Sequence, residues 1–110
     1  MNSSNLINKN KSLLEALIQI NTLYPEPLVL FVVDDNQRMV GTLTDGDSRR
    51  ALIAGASVDD KAEKVMHRDF NYMKADDIHN VKEIRRQKEM LMRLVPILDD
   101  EKHIVDIIDL

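Results

Sequence analysis

The chain has 110 residues, enough for one modest hydrophobic core. Hydrophobic residues make up 44%, charged residues 31%, and the net charge is −4, so the composition is that of an ordinary globular domain. No Lys/Arg run exceeds a pair, aromatics reach only 4%, and Cys and Trp are absent. This excludes a general nucleic-acid or anionic-membrane surface, base-stacking platforms, disulfides, thiol catalysis and zinc–thiolate sites.

The polar start, Met1-Asn2-Ser3-Ser4-Asn5, is followed by no long apolar run. Neither a signal peptide nor a membrane span is predicted, and a cytoplasmic location is expected. Leu6-Ile7 suffices for a brief strand. Ser12-Leu13-Leu14-Glu15 has capping-box spacing, and Leu13, Leu14, Ala16, Leu17, Ile18 and Ile20 give the helix behind it an apolar stripe. Pro25 and Pro27 stop it. Leu28 to Val33 reads as a strand covered on both faces, Asp34-Asp35-Asn36-Gln37 as a turn, and Met39 to Thr44 as the returning strand.

Asp45-Gly46-Asp47 then reads as a tight turn, with a helix from Ser48 to Ala54 stopped at Gly55. Ala56 to Arg68 is predicted to be a linker along the surface. Phe70 to Met73 is a second brief strand. Asp76-Asp77 offers caps for a helix carrying Ile78, Val81 and Ile84 inward. Leu94 to Leu98 and Ile104 to Ile108 are strands flanking the turn Asp99 to Lys102. Pro96 needs an edge or non-bonded position in the first of them.

The order repeats at a constant offset. Val32-Val33-Asp34-Asp35 and Ile97-Leu98-Asp99-Asp100 are 65 residues apart, as are Met39-Val40 and Ile104-Val105, Ser12 and Asp77, and Ile7 and Tyr72. Two copies of a strand–helix–strand–strand unit follow. The predicted fold class is therefore α/β (α+β): two strand–helix–strand–strand(–helix) repeats packed as a pseudo-twofold pair. Repeat one covers about 5–58, the linker about 59–68 and repeat two about 69–110, without its last helix. Val95, Ile97 and Ile107 are then expected to lack a cover, so that either a partner chain fills the gap or the protein is less stable than a chain that includes the helix.

Chemistry concentrates at Gly41 to Arg50. A strand turning into a helix aims backbone N–H groups and the positive dipole end at one spot, where Thr44 adds a hydroxyl and Asp47 a carboxylate. Two readings stand: Asp47 is a helix cap, or it accepts hydrogen bonds from a ligand that carries sugar hydroxyls and phosphate. Arg49 and Arg50 lie about 100° apart on a helix, so at most one faces a ligand. In the second copy Gly41 becomes Asp106, Thr42 becomes Ile107 and Thr44 becomes Asp109. His67, His79 and His103 lack metal spacing, and neither a metal site nor a catalytic group is predicted.

Gly41-x-x-Thr44-x-x-Asp47, the tandem order and Leu94-Val95-Pro96-Ile97-Leu98-Asp99 with Arg93 before it resemble the cystathionine-β-synthase (CBS) domain pair, or Bateman module. Gly41 to Leu52 more narrowly resembles the CBS pair ahead of bacterial sugar-phosphate nucleotidyltransferases. The resemblance implies a regulatory, non-catalytic module that needs no cofactor and binds an AMP-, ADP- or ATP-type ligand. Asp47 would grip the ribose hydroxyls, Thr44 would meet ribose or phosphate, and Thr42 would line the pocket. Asn71, Tyr72 and Met73 would surround the base and Arg93 would meet phosphate. For Tyr72 and Met73 plain core packing is the alternative; for Arg93 it is a solvated charge. An attached nucleotidyltransferase domain and a homodimer are the implied partners, with no nucleic acid and no membrane. A purely structural dimerisation module with an empty site is the competing function.

Overall fold

The computed structural model describes residues 3–90 and 93–110. It divides after Phe70 into two compact units.

In the first unit, β1 (Leu6–Asn8), α1 (Leu13–Asn21), β2 (Val29–Val33), β3 (Met39–Thr44), α2 (Asp45–Ile53) and the short α3 (Ala62–Val65) follow in order. Its sheet runs β1-β2-β3, with β1 parallel and β3 antiparallel to β2. β2 is central, and its last four residues are buried, as a continuous aliphatic strand requires. Leu13, Ala16 and Ile20 form the buried stripe of α1 and pack with Leu30, Val32 and Leu43. Each fully buried Leu or Ile contributes about 1.5–3 kcal/mol relative to exposure. Ser12 caps α1 by accepting the Glu15 N–H at 3.1 Å.

The stretch expected to run along the surface is instead built into this unit. Asp60 and Val58 carbonyls accept the Leu13 and Leu14 N–H groups at 2.7 and 2.9 Å, which the first turn of α1 cannot satisfy by itself. Ala62 is fully buried. Beyond α3 the chain crosses the outer edge of β3, where Thr42 and His67 exchange N–H···O bonds of 2.9 and 2.8 Å. Gly41 makes that crossing possible: a Cβ there would stand 2.6 Å from Met66 Sδ and 2.9 Å from the His67 carbonyl oxygen.

In the second unit, β4 (Met73–Lys74), α4 (Val81–Glu89), β5 (Leu94–Leu98) and β6 (Ile104–Asp109) follow in order, and the sheet runs β4-β5-β6. Met73, Val95 and Ile97 form its core with Ile84, Ile108 and Leu110. Val95 and Ile97 are thus fully buried, not lacking cover, and Ile107 is half-buried. Pro96 lies in the central strand yet costs no ladder bond. The Leu110 N–H bonds the Arg93 carbonyl at 2.7 Å, so the alternation of the ladder makes Pro96 and Ile107 a non-bonded pair, and β4 pairs only from Ile97 onward.

The hairpins are duplicated down to single bonds. Asp34 Oδ1 accepts the N–H groups of Asn36 and Arg38, and Asp99 Oδ1 those of Glu101 and His103. Gln37 and Lys102 occupy the same left-handed conformation, and the register slips after Val32 and after Ile97 alike. The offset of 65 fails elsewhere. Ile7 pairs with Val32 but Met73, not Tyr72, pairs with Ile97. Asp76-Asp77 belongs to a 3-10 turn, and Asn80 caps α4 by accepting the Glu83 N–H at 3.2 Å. Val81, expected inward, is 67% exposed, whereas Gln87 is fully buried.

Two predictions follow from this architecture. Gly41→Ala should lower unfolding stability by about 1–3 kcal/mol, because the obstructing His67 oxygen is backbone. Gly46→Ala should leave stability unchanged or raised, since its Cβ would meet only the flexible end of Arg50, at 3.1 Å. Urea denaturation of the two variants decides it; equal effects would refute the crossing as the reason for Gly41. The second concerns acid. Bonds from the backbone N–H groups of Arg38 and His103, the largest cause in each case, hold the Asp34 and Asp99 carboxyls below the usual carboxylate range. Their folded-state values are depressed, so the stability they give is complete above about pH 4 and is lost as pH falls through the folded values. Replacing both by Asn should flatten the fall in stability between about pH 4 and pH 2, read by denaturant titrations at each pH.

Candidate ligand site at the β3–α2 junction

Helix α2 begins at Asp45, so the expected tight turn is its first turn. Thr44, not Asp47, is the N-cap. Thr44 Oγ1 accepts the Asp47 N–H at 3.0 Å, and Asp47 Oδ2 accepts the Thr44 N–H at 3.1 Å, a complete capping box with Asp in the third helical position. Ser48 is fully buried and donates its hydroxyl to the Thr44 carbonyl at 2.9 Å. At the far end Gly55 takes φ 105°, and the Gly55 and Ala56 N–H groups return to Leu52 and Ala51, completing a Schellman stop.

The junction is crossed by ion pairs. Arg50 Nη2 donates to Asp47 Oδ1 at 2.8 Å, and Arg49 reaches Asp45 at 3.1 Å. Asp47 is half-buried while Arg50 is exposed. Burial by itself would push the Asp47 carboxyl up; the Thr44 N–H and hydroxyl and the Arg50 guanidinium outweigh it and hold the group below the usual carboxylate range. Asp47 is therefore an ionised acceptor at neutral pH. Thr42 and Thr44 alternate with the buried Leu43 and so share the sheet face opposite the α1 core. The structure brings Thr42, Thr44 and Asp47 together at one end of β3. The expected display of bare amides is corrected: Asp45 N–H bonds the Leu28 carbonyl at 3.2 Å and Asp47 N–H is taken by Thr44.

Asn71, Tyr72, Met73 and Arg93 lie in the second unit. Asn71 and Gln87 exchange side-chain amide bonds, and Gln87 Nε2 also meets the Tyr72 carbonyl at 3.4 Å and Glu83 Oε1 at 3.0 Å. Tyr72 is 36% exposed, whereas Met73 is buried at 1% and serves the core. Arg93 lies against Asp109, with Nε and Nη2 at 3.1 and 3.3 Å from its two oxygens. Gln87 was missed from sequence, although it stands one helical turn after Ile84. Among the described residues no group of three or more His, Asp or Glu side chains could hold a metal ion. No described helix is long and apolar enough to cross a membrane. A cavity of about 520 Å³ in the first unit lies elsewhere, between the end of α1 and Asp45, lined by Leu17, Ile18, Tyr24 and Leu28; it includes none of Thr42, Thr44 and Asp47.

Comparison with protein-family models gives no match, nor does comparison with curated proteins. Solved structures do match. The CBS domains of a transcriptional regulator from Streptococcus pneumoniae are similar with a TM-score of 0.71 at 16% identity, over 94% of this chain and 80% of that one. The cytosolic domain of the Mg2+ channel MgtE in complex with ATP gives 0.72 at 19%, over 94% and 41%. The CBS domain pair of protein MJ0100, in complex with 5'-methylthioadenosine and S-adenosyl-L-methionine, gives 0.69 at 23%, over 94% and 82%. With two three-stranded sheets and four α-helices among the described residues, the chain has the fold of a CBS-domain pair.

Proposed function

We propose that this chain is a regulatory module that binds an adenosine-type ligand through the β3–α2 junction and biases an attached sugar-phosphate nucleotidyltransferase domain. The observation that carries the ligand reading is the half-buried, ionised Asp47 at a strand–helix junction of a CBS-pair fold. The ligands held by MJ0100 and MgtE support the choice of adenosine compounds. Asp47 takes the ribose hydroxyls, and Thr42 and Thr44 flank it. Asn71, Tyr72, Met73 and Arg93, assigned to base and phosphate on the resemblance alone, belong to the second unit, where Arg93 is engaged by Asp109. The attached domain is assigned on the resemblance of Gly41 to Leu52 alone. Regulation requires that the ligand bind two states with different affinity.

Calorimetric titration with AMP, ADP, ATP, GTP and S-adenosylmethionine tests the ligand reading. At least one adenosine compound should bind with a Kd below about 1 mM, and Asp47→Ala should weaken it about tenfold or more at a temperature where both proteins are folded. Millimolar or weaker binding throughout, or equal binding by the variant, would overturn it.

A second reading, association into a homodimer, is favoured by apolar side chains left exposed on the first unit: Ile18 at 59%, Tyr24 at 78% and Ile53 at 86%. Sedimentation should show a dimer that Ile18→Glu disrupts. A monomer at the highest attainable concentration would dismiss it.

A further inference from the structure

We infer that the cavity between the end of α1 and Asp45 is a second binding site, which takes a small apolar molecule carrying an ammonium group. It is separate from the site at Thr42, Thr44 and Asp47 and does not depend on the adenosine reading.

The volume of the cavity, about 520 Å³, falls within the range of roughly 300–1,000 Å³ common to small-molecule sites. Its walls are mixed in the way such sites are. Leu17, Ile20 and Leu28 give the apolar part, and Ile20 is only 2% exposed. Asn21, Tyr24 and Asp45 supply the polar part. Among the described residues nothing engages the Asn21 side-chain amide or the Tyr24 hydroxyl, and Asp45 is held only through Oδ2, by Arg49 at 3.1 Å.

The charge of the surroundings selects the ligand. Residues 12–37 contain no Lys, Arg or His, so neither α1 nor the loop behind it carries a cation. The negative end of the α1 dipole therefore borders the cavity with no basic residue in the last turn. The start of α2 does not offset this, because its partial positive charge, about half a unit, is already met by Asp45 and Asp47. Arg49 is the cation that reaches Asp45, and it is a weak occupant. Its side chain is 70% exposed, and an ion pair in water holds its partner loosely. An ammonium group on an apolar body fits this combination. It gives N–H donors to the second Asp45 oxygen and to the Asn21 carbonyl oxygen, and its charge lies against the Tyr24 ring. Its hydrocarbon covers Leu17, Ile20 and Leu28. An anionic head group would instead meet like charge at Asp45 and at the end of α1.

Phenethylamine, phenethyl alcohol and phenylacetate share one apolar body and differ in the head group, and NMR titration of the backbone amides reads each of them. The amine should bind with a Kd below about 5 mM and at least about fivefold tighter than the alcohol, with phenylacetate weakest. The shifts should concentrate at the residues lining the cavity. Asp45→Asn should bring the amine down to the affinity of the alcohol, whereas Arg49→Gln, which removes the competing cation, should tighten the amine about twofold or more. Ile18 and Tyr24 also carry the dimer reading, so the affinities should agree at protein concentrations about tenfold apart. Equal binding of amine and alcohol, or tighter binding of phenylacetate, would overturn the ligand class. Shifts confined to other residues, or an affinity that falls as the protein is concentrated, would overturn the site. So would a lack of any shift up to about 20 mM of each compound.

Discussion

Everything in the two sheets depends on one device used twice, an aspartate that gathers the backbone of its own hairpin. Asp34 and Asp99 each accept two N–H groups from the turn that follows, with Gln37 and Lys102 in the left-handed conformation to complete it. The turn fixes the register, and a one-residue slip would move a strand's whole apolar set to the wrong face. In the first unit that register sends Leu30, Val32 and Leu43 into the α1 core and leaves Thr42 and Thr44 on the other face, leading into the cap of α2. The chemistry at Asp47 therefore begins with the geometry at Asp34.

That dependence explains which parts were legible in the sequence. The hairpins were readable almost to the residue, because an aliphatic run, an Asp-led turn and a second run are local signals, and the copies reinforce one another at 65 residues. The first strand and first helix of the second unit were not, because their spacing is free of that constraint. Ser12 and Asn80, the true caps, stand 68 residues apart, and Asp76-Asp77 offered an earlier cap of equal chemical quality. Asn80 followed by Glu83 was the better signal. Placing the cap there turns Val81 outward and Gln87 inward, as observed. The role of residues 58–67 was illegible for another reason: their contacts with Lys11, Leu13, Leu14 and Thr42 are long-range backbone bonds, which leave little trace in side-chain pattern.

The two outer strands show how one fold position can be closed in two ways. At β3 the closing partner is backbone: His67 takes both the N–H and the carbonyl of Thr42, and Gly41 keeps the space clear. At β6 the position of Gly41 is held by Asp106, whose own Oδ1 accepts the Ile107 N–H at 2.8 Å. A side chain thus occupies the room that a crossing strand would need and satisfies the donor that it would have bonded. A charged side chain on an edge strand is a recurrent means of blunting an exposed sheet edge. Gly41 in the sequence motif is thereby accounted for by chain packing, without appeal to a ligand.

The same economy operates at the β3–α2 junction, where groups that look available in sequence are already engaged in holding the helix. A capping box contributes about 1 kcal/mol to its helix, and exposed ion pairs such as Arg50–Asp47 add less. These small terms still determine chemistry, because each removes one donor or one charge from those a ligand could use. The Asp45, Asp47 and Thr44 N–H groups are taken up within the fold, and the Asp47 carboxylate stays ionised under the hold of Thr44 and Arg50. A cap built from Asp in the third position, with Arg three residues on, therefore differs from a bare helix start: its carboxylates already answer the helix dipole, and its cap bonds and ion pair hold one another in place.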